Sequence, residues 1–226
     1  IASYRAGTTT PTAVAEQFCD RLEASELGEA PLRTLIAHHR DDLMKQAEAS
    51  NERWANNRPL GPLDGVPVAI KDEVDVRGYA TTAGTAFLGR EAAQQDGHSV
   101  AALRACGALL VGKANMHELG IGVTGLNPHH GSARNPHDTQ RVTGGSSSGS
   151  AAIVAAGLVP LALGADGGGS IRIPSALCGV VGLKPTFGRI SEHGVEPLCW
   201  SVGHLGPIGA TTDDVALGLA AMAGPD

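Results

Sequence analysis

Two stretches rich in serine and glycine carry the strongest chemical signal in the sequence. The first reads TGGSSSGSAA from Thr143 to Ala152, and the second reads GADGGGSIRIP from Gly164 to Pro174. In the second stretch, Ser170 follows three consecutive glycines at the end of a predicted strand. Glycines let backbone N–H groups turn toward one point, which an oxyanion hole for acyl transfer requires. The pattern indicates a serine nucleophile, and a helix predicted to open after Ser170 would add positive potential there.

A serine nucleophile needs a base, and no motif near Ser170 supplies a histidine. Lys71 is a candidate because it stands at the end of the apolar run VPVAI, Val66 to Ile70, which is typical of a buried strand. Burial disfavours a charged ammonium, and lysine replaces histidine in some serine hydrolases. Considered alone, however, Lys71 beside Asp72 and Glu73 is better interpreted as an ordinary ion-paired lysine.

The sequence predicts neither a cofactor nor a metal. A dinucleotide site needs a strand before its GxGxxG string and a helix after it. Here the string Gly120 to Gly125 follows NMHEL and precedes LNPHHG, which is a helix breaker. Neither Ser/Gly stretch contains the GK[ST] of a phosphate-binding P-loop. The histidines also lack zinc spacing, since His129, His130 and His137 lie in a Pro/Gly/Asn-rich loop and His117 has no HExxH partner.

Composition narrows the class of protein further. The chain has 226 residues and a net charge of −6, with scattered lysines and arginines, which argues against a nucleic-acid partner. The longest apolar run, Ala151 to Leu163, is interrupted by Gly157 and Pro160 and is too short for a transmembrane segment. The four cysteines lie far apart, which favours reduced thiols and a cytoplasmic location.

Buried apolar strands alternate with helices along the chain, which predicts an α/β fold. The predicted strands are Val66–Ile70, Ala108–Gly112, Leu161–Asp166 and Val180–Leu183. One helix is predicted to begin at Thr10 and Pro11. Four more are predicted over Asp41–Ala55, Ser99–Cys106, Ala151–Ala156 and Asp213–Ala223. Thr212 is the predicted cap of the last helix.

The two Ser/Gly stretches and their spacing resemble the signature region of the amidase signature family. The resemblance runs through GGSSSGSAA, GADGGGSIRIP and CGVVGLKPT, from Gly144 to Thr186, and extends upstream to GPLDGVPVAIKD and VGKANMHELGIG. The departures are Ser148 for a usual glycine, Ala165 for a usual Ser/Thr and Gly167 for a usual Thr or Ile.

This resemblance implies a single amidase signature domain over residues 1–226, with a mixed β-sheet core covered by helices on both faces. Because family members are much longer, the chain is expected to be the N-terminal, catalytic half. A half-sheet exposes strand edges and apolar helix faces. Residues 1–226 alone are therefore expected to be poorly soluble or oligomeric, and inactive.

The resemblance also assigns roles to residues of the site. Ser170 would be the acylated nucleophile, Ser146 the serine that relays protons after a cis Gly145–Ser146 peptide, and Lys71 the base. The oxyanion hole would consist of the backbone N–H groups of Gly167, Gly168, Gly169 and Ser170. Gly120 would lie at the wall of the acyl site. Asp166 and Arg172 would form an ion pair that holds the loop.

Within the family, the motifs are most similar to the branch that contains the plant fatty acid amide hydrolases. That similarity implies an enzyme that hydrolyses a small-molecule amide with an apolar acyl group. No cofactor is expected, and a homodimer is the expected assembly. One alternative is the A subunit of the glutamyl/aspartyl-tRNA amidotransferase, which typically reads SIRQP where this chain reads SIRIP, Ser170 to Pro174. Another is a non-catalytic binding module. Trp200 is a candidate to face the substrate, although a position in the core is the preferred interpretation.

Overall fold

A mixed six-stranded sheet, in the order β1-β3-β2-β4-β6-β5, forms the centre of the protein. The structure is a computed structural model that describes residues 1–226. The strands are β1 Leu35–Ala37, β2 Pro67–Lys71, β3 Leu109–Ala114, β4 Leu161–Ala165, β5 Val181–Gly182 and β6 Leu205–Gly209. β2 runs parallel to both β3 and β4, whereas β1 and β6 pair antiparallel with the edges of this central trio.

Helices cover both faces of the sheet, as the sequence predicts. They are α1 Ala2–Arg5, α2 Pro11–Ser25, α3 Arg40–Ala55, α4 His98–Ala105, α5 Ser148–Ala155, α6 Arg172–Cys178 and α7 Thr212–Met222. On one face, α2, α3 and α5 pack with Ala69, Val111 and Ala162 of the strands. On the other face, α4 and α7 pack with Ile70 and Leu163. Because both sides of the central strands are buried, those strands read as continuous apolar runs.

Two features differ from the predicted elements. Thr211, rather than Thr212, caps α7, and it forms a capping box with Asp214. α5 begins at Ser148, three residues before the predicted start, because the serine run itself enters the helix. Both corrections concern helix starts, where neighbouring polar residues compete for the cap position.

Two strands were not predicted at all. β1 has three residues and is only partly buried, so it carries no apolar run. β6 reads LGPIG, and its glycines and proline are depleted in strands. It forms nevertheless, since it lies fully buried between β4 and β5. No helix of the protein combines the length and the apolar character needed to cross a membrane.

Candidate active site

The predicted site residues meet where β2 and β4 end. Parallel strands present their carboxyl ends at one edge of a sheet, and functional groups commonly lie there. Lys71 is the last residue of β2, and Asp166 follows the last residue of β4. Ser146 comes from the loop that precedes α5, and Ser170 from the loop between β4 and α6. Lys71, Ser146 and Ser170 all line one cavity.

Lys71 contacts both a hydroxyl and a carboxylate. Its Nζ atom donates to Oγ of Ser146 over 2.8 Å and lies 3.1 Å from Oε2 of Glu73. The side chain of Lys71 is 1% exposed. Burial lowers the pKa of Lys71, and the negative charges of Glu73 and Asp166 oppose that shift without cancelling it. A lysine in these surroundings can lose its proton more easily than one in water.

Within the serine run, Ser146 is the residue whose hydroxyl reaches Lys71. The hydroxyls of the next serines bond to backbone carbonyls: Ser147 to Ala165, Ser148 to Asn115 and Ser150 to Leu163. These contacts hold the loop and the first turn of α5 against the sheet. The hydroxyls of these neighbouring serines are thus engaged by the backbone.

The backbone around Ser146 is closely packed. The Gly145–Ser146 peptide is cis, and the carbonyl of Ser146 accepts from the N–H of His117 over 3.0 Å. Gly120 lies beside this segment with φ +70°, and a Cβ atom there would be 3.6 Å from Oγ of Ser146. The same Cβ would be 3.4 Å from Oε2 of Glu73. Gly120 therefore lies next to the side chains of Ser146 and Glu73.

A buried carboxylate organises the loop that carries Ser170. Asp166 accepts from the N–H of Gly169 over 2.6 Å, from the N–H of Ile171 over 3.0 Å, and from the Arg172 guanidinium over 2.9 and 3.0 Å. Burial alone would raise the pKa of Asp166, but these hydrogen bonds outweigh it and hold that pKa well below its usual range. The predicted ion pair between Asp166 and Arg172 is present.

The same hydrogen bonds alter the predicted oxyanion hole. The N–H of Gly169 donates to Asp166, so it is not free to bind a second negative charge. The N–H groups of Gly167, Gly168 and Ser170 have no partner within the protein. Of the four predicted donors, Gly169 therefore already has an acceptor in Asp166, whereas the other three N–H groups do not have one.

The structure does not bring every predicted group into contact. No hydrogen bond joins the hydroxyls of Ser146 and Ser170, although Ser147 N–H donates to the carbonyl of Ser170 over 3.2 Å. The two hydroxyls face the same cavity without touching. Contacts between catalytic groups are often long in the absence of substrate and tighten when it binds.

Sequence reasoning missed most of the other residues that line this cavity. The wall carries the carboxylates of Glu73, Glu192 and Glu196 together with the apolar side chains of Val195, Leu198 and Trp200. Trp200 was expected in the core, but it is 76% exposed and lines the cavity. Leu198 and Trp200 belong to the stretch LCWSVGHLGPI, Leu198 to Ile208, which resembles the family, but the stretch alone does not indicate where it lies in the fold. The segment reaches the site because Val195 pairs with Val74 in a β-bridge just after β2.

Comparison with known proteins identifies the family. Residues 13–226 match the family model described as Amidase. The chain belongs to the amidase family.

Its relatives include enzymes with different named activities. The chain is 48% identical over 223 residues to the fatty acid amide hydrolase of Oryza sativa subsp. indica, covering 98% of this chain and 37% of that protein. It is 44% identical over 223 residues to the A subunit of the glutamyl-tRNA(Gln) amidotransferase of Symbiobacterium thermophilum, covering 99% of this chain and 45% of the relative. The chain thus spans less than half the length of these curated relatives.

Solved structures share the fold closely. The native peptide amidase from Stenotrophomonas maltophilia is 35% identical with a TM-score of 0.95, and the match covers 100% of this chain and 47% of that one. A protein described in connection with the evolutionary origins of an s-triazine catabolic enzyme is 41% identical with a TM-score of 0.96, covering 100% and 49%. The mixed sheet with helices on both faces is therefore the fold of amidase signature enzymes.

Proposed function

We propose that this chain carries the acyl-transfer machinery of an amidase, which hydrolyses a carboxylic amide to an acid and an amine or ammonia through a seryl acyl-enzyme. The observation that carries the proposal is the contact of 2.8 Å between Nζ of buried Lys71 and Oγ of Ser146. Ser170 lies in the same cavity beside unpartnered backbone N–H groups. Family membership supports the same reaction class.

Each group has one task in this mechanism. Neutral Lys71 takes the proton of Ser146, which in turn takes the proton of Ser170 as its Oγ attacks the amide carbon. The N–H groups of Gly167, Gly168 and Ser170 stabilise the negative oxygen that develops. Ser146 then returns a proton to the leaving amine. Water repeats the sequence on the acyl-enzyme and releases the acid.

Two features of the cavity bear on the substrate. Leu198 and Trp200 offer an apolar surface, which suits an apolar acyl group and agrees with the names of the plant relatives. A panel of amides with increasing acyl chain length would test this choice, because kcat/KM should rise with chain length if the apolar surface binds the acyl part.

The second candidate is the glutaminase activity of an amidotransferase of the kind found among the relatives. The specific observation in its favour is the set of carboxylates Glu73, Glu192 and Glu196 on the cavity wall, which suits a substrate with an ammonium group, as glutamine has. Hydrolysis of glutamine at a rate above that of every uncharged amide would favour this candidate.

A homodimer and a cytoplasmic location stay predictions.

Covalent labelling tests the reaction class itself. A fluorophosphonate added to the full-length protein should label Ser170, with the adduct located by mass spectrometry. Ser170→Ala should abolish labelling, whereas Ser147→Ala should keep it, since the Ser147 hydroxyl bonds to backbone groups of Ala165. An adduct on Ser146 would overturn the assignment of the nucleophile. Complete absence of labelling and of amide hydrolysis would instead indicate a non-catalytic binding module.

A further inference from the structure

Glu73 is a buried carboxylate that the proposed mechanism does not use. Its Oε2 atom lies 3.1 Å from Nζ of Lys71, and the two side chains are 8% and 1% exposed. A carboxylate at that distance stabilises the charged form of lysine, whereas the proposed mechanism requires the neutral form. Glu73 thus opposes the neutral form of Lys71 at close range, and its presence there has to be explained.

The position of Glu73 is imposed by the backbone. Its carbonyl accepts from the N–H of Glu196 over 2.7 Å, and the adjacent Val74 bridges to Val195. These bonds fasten the segment after β2 and aim Glu73 at the cavity. Asp72, the other acidic neighbour of Lys71, points away and pairs with Lys113 at 3.4 Å. Of the two acids predicted to neutralise Lys71, Glu73 is therefore the one that does so.

The other charged groups around this pair act differently. Asp166 also favours the charged form of Lys71, but the Arg172 guanidinium engages its carboxylate. Burial raises the pKa of Glu192, and the negative charge of Glu73 acts in the same direction. The titratable and charged groups around the pair are Asp166 after β4, Lys113 of β3, and Glu192, Glu196 and His204 of the segment that lines the cavity.

We propose that Glu73 is a positioning residue that holds Lys71 against Ser146 and sets the pH range in which the amidase works. The inference rests on the proposed function. Burial lowers the pKa of Lys71, and the negative charge of Glu73 opposes that shift. The carboxylate holds the amine in place beside Ser146, and it stabilises the charged form of Lys71 that arises each time Lys71 takes the proton of Ser146.

The test is the pH profile of Glu73→Gln in the full-length enzyme. Glutamine retains the shape and an oxygen that accepts from Nζ, but it removes the negative charge. The acidic limb of kcat/KM should move to lower pH by about one pH unit or more, since an opposite charge this close changes a pKa by about 1–3. At a pH one unit below the wild-type midpoint, the variant should then retain a larger fraction of its maximal kcat/KM than wild type does.

A matched control removes another carboxylate from the same neighbourhood. Glu118 pairs with His129 at 2.8 Å and does not contact Lys71, so Glu118→Gln should leave the acidic limb in place. Glu73→Asp provides a second variant, because withdrawing the carboxylate by one methylene should move the limb in the same direction by a smaller amount.

The outcomes separate this inference from the proposed function. A Glu73→Gln profile that falls equally at every pH, with its acidic limb at the wild-type position, would overturn the role of Glu73 as a pH-setting residue. An unchanged limb in Glu73→Asp would do the same if the glutamine variant did not fold. Failure of wild-type labelling at Ser170 would instead refute the proposed function, whatever the variants show.

Discussion

The Nζ atom of Lys71 lies 2.8 Å from the Oγ atom of Ser146, although 75 positions separate the two residues in the chain. Lys71 ends a central strand of the sheet, and Ser146 lies in a loop with a cis peptide bond. The contact joins a group that can hold a proton to a hydroxyl that can pass one on.

Replacing Lys71 should remove the base without removing the nucleophile. We expect Lys71→Ala to lower kcat/KM for amide hydrolysis about 1,000-fold or more, since general-base catalysis and nucleophile activation are both lost. Lys71→Arg should not restore activity, because arginine does not deprotonate in proteins. Steady-state kinetics of the full-length variants would measure both effects, and near-normal activity of the arginine variant would refute the role of Lys71.

The wild-type enzyme should lose activity as the pH falls. Burial lowers the pKa of Lys71 from its ordinary value, so the neutral amine is populated at a lower pH than in a free lysine. Since the neutral form is the base, kcat/KM should rise with pH through the lowered pKa and then level off. A profile that falls with rising pH over this range would contradict neutral lysine as the base.

Asp166 should contribute to stability as well as to the shape of the loop. Asp166→Asn removes the charge that accepts from Gly169, Ile171 and Arg172, so we expect the free energy of unfolding to fall by about 1–3 kcal/mol at neutral pH. Urea denaturation would measure this loss. Arg172→Gln should cost less, because Arg172 is 55% exposed and water can replace it.

The contribution of Asp166 should depend on pH in a defined direction. Its folded-state pKa is lowered, so the stabilisation is fully present above the unfolded-state pKa of about 3.9 and is lost as the pH falls toward the folded-state pKa. The difference in unfolding free energy between wild type and Asp166→Asn should therefore shrink below about pH 4. A difference that stayed constant there would show that the carboxylate charge is not responsible.

Two adjacent glycines offer a matched pair of substitutions. Gly169 has φ +126°, and an added Cβ would lie 2.6 Å from Cδ1 of Ile173, so Gly169→Ala should destabilise the protein by about 1–3 kcal/mol. Gly168 has open space around it, so Gly168→Ala should change stability by less than about 0.5 kcal/mol. Thermal unfolding would compare them. Equal destabilisation by the two alanines would refute the strained role of Gly169.

The main elements of the sheet could be predicted from the sequence because they are buried on both faces. β2, β3 and β4 appear as apolar runs, and the site residues stand at or just after the ends of β2 and β4. β6 could not be predicted, since LGPIG has no strand propensity and forms only between β4 and β5. β6 forms because of tertiary packing, which a local sequence pattern does not reveal.

The site was only partly predictable for a similar reason. The residues alone favoured an ion-paired Lys71, and the family resemblance favoured a base; the structure has Lys71 in contact with both Glu73 and Ser146. The N–H of Gly169 was predicted as a free donor, but the orientation of the Asp166 side chain decides its partner. Contacts of this kind depend on side-chain directions that spacing along the chain does not determine.

The parallel pairing of β2 with β4 also has a consequence for the order of folding. Nζ of Lys71 lies 3.4 Å from the carbonyl oxygen of Ala165, although the two residues are 94 positions apart in sequence, and β2 and β4 must pair in register to bring them together. Closing so long a loop costs entropy before any contact compensates for it, so such pairings form slowly. Helices such as α2 and α3 are local and can form early during refolding. Reactivity of Ser170 should consequently return last, which makes a fluorophosphonate a reporter of the completed sheet.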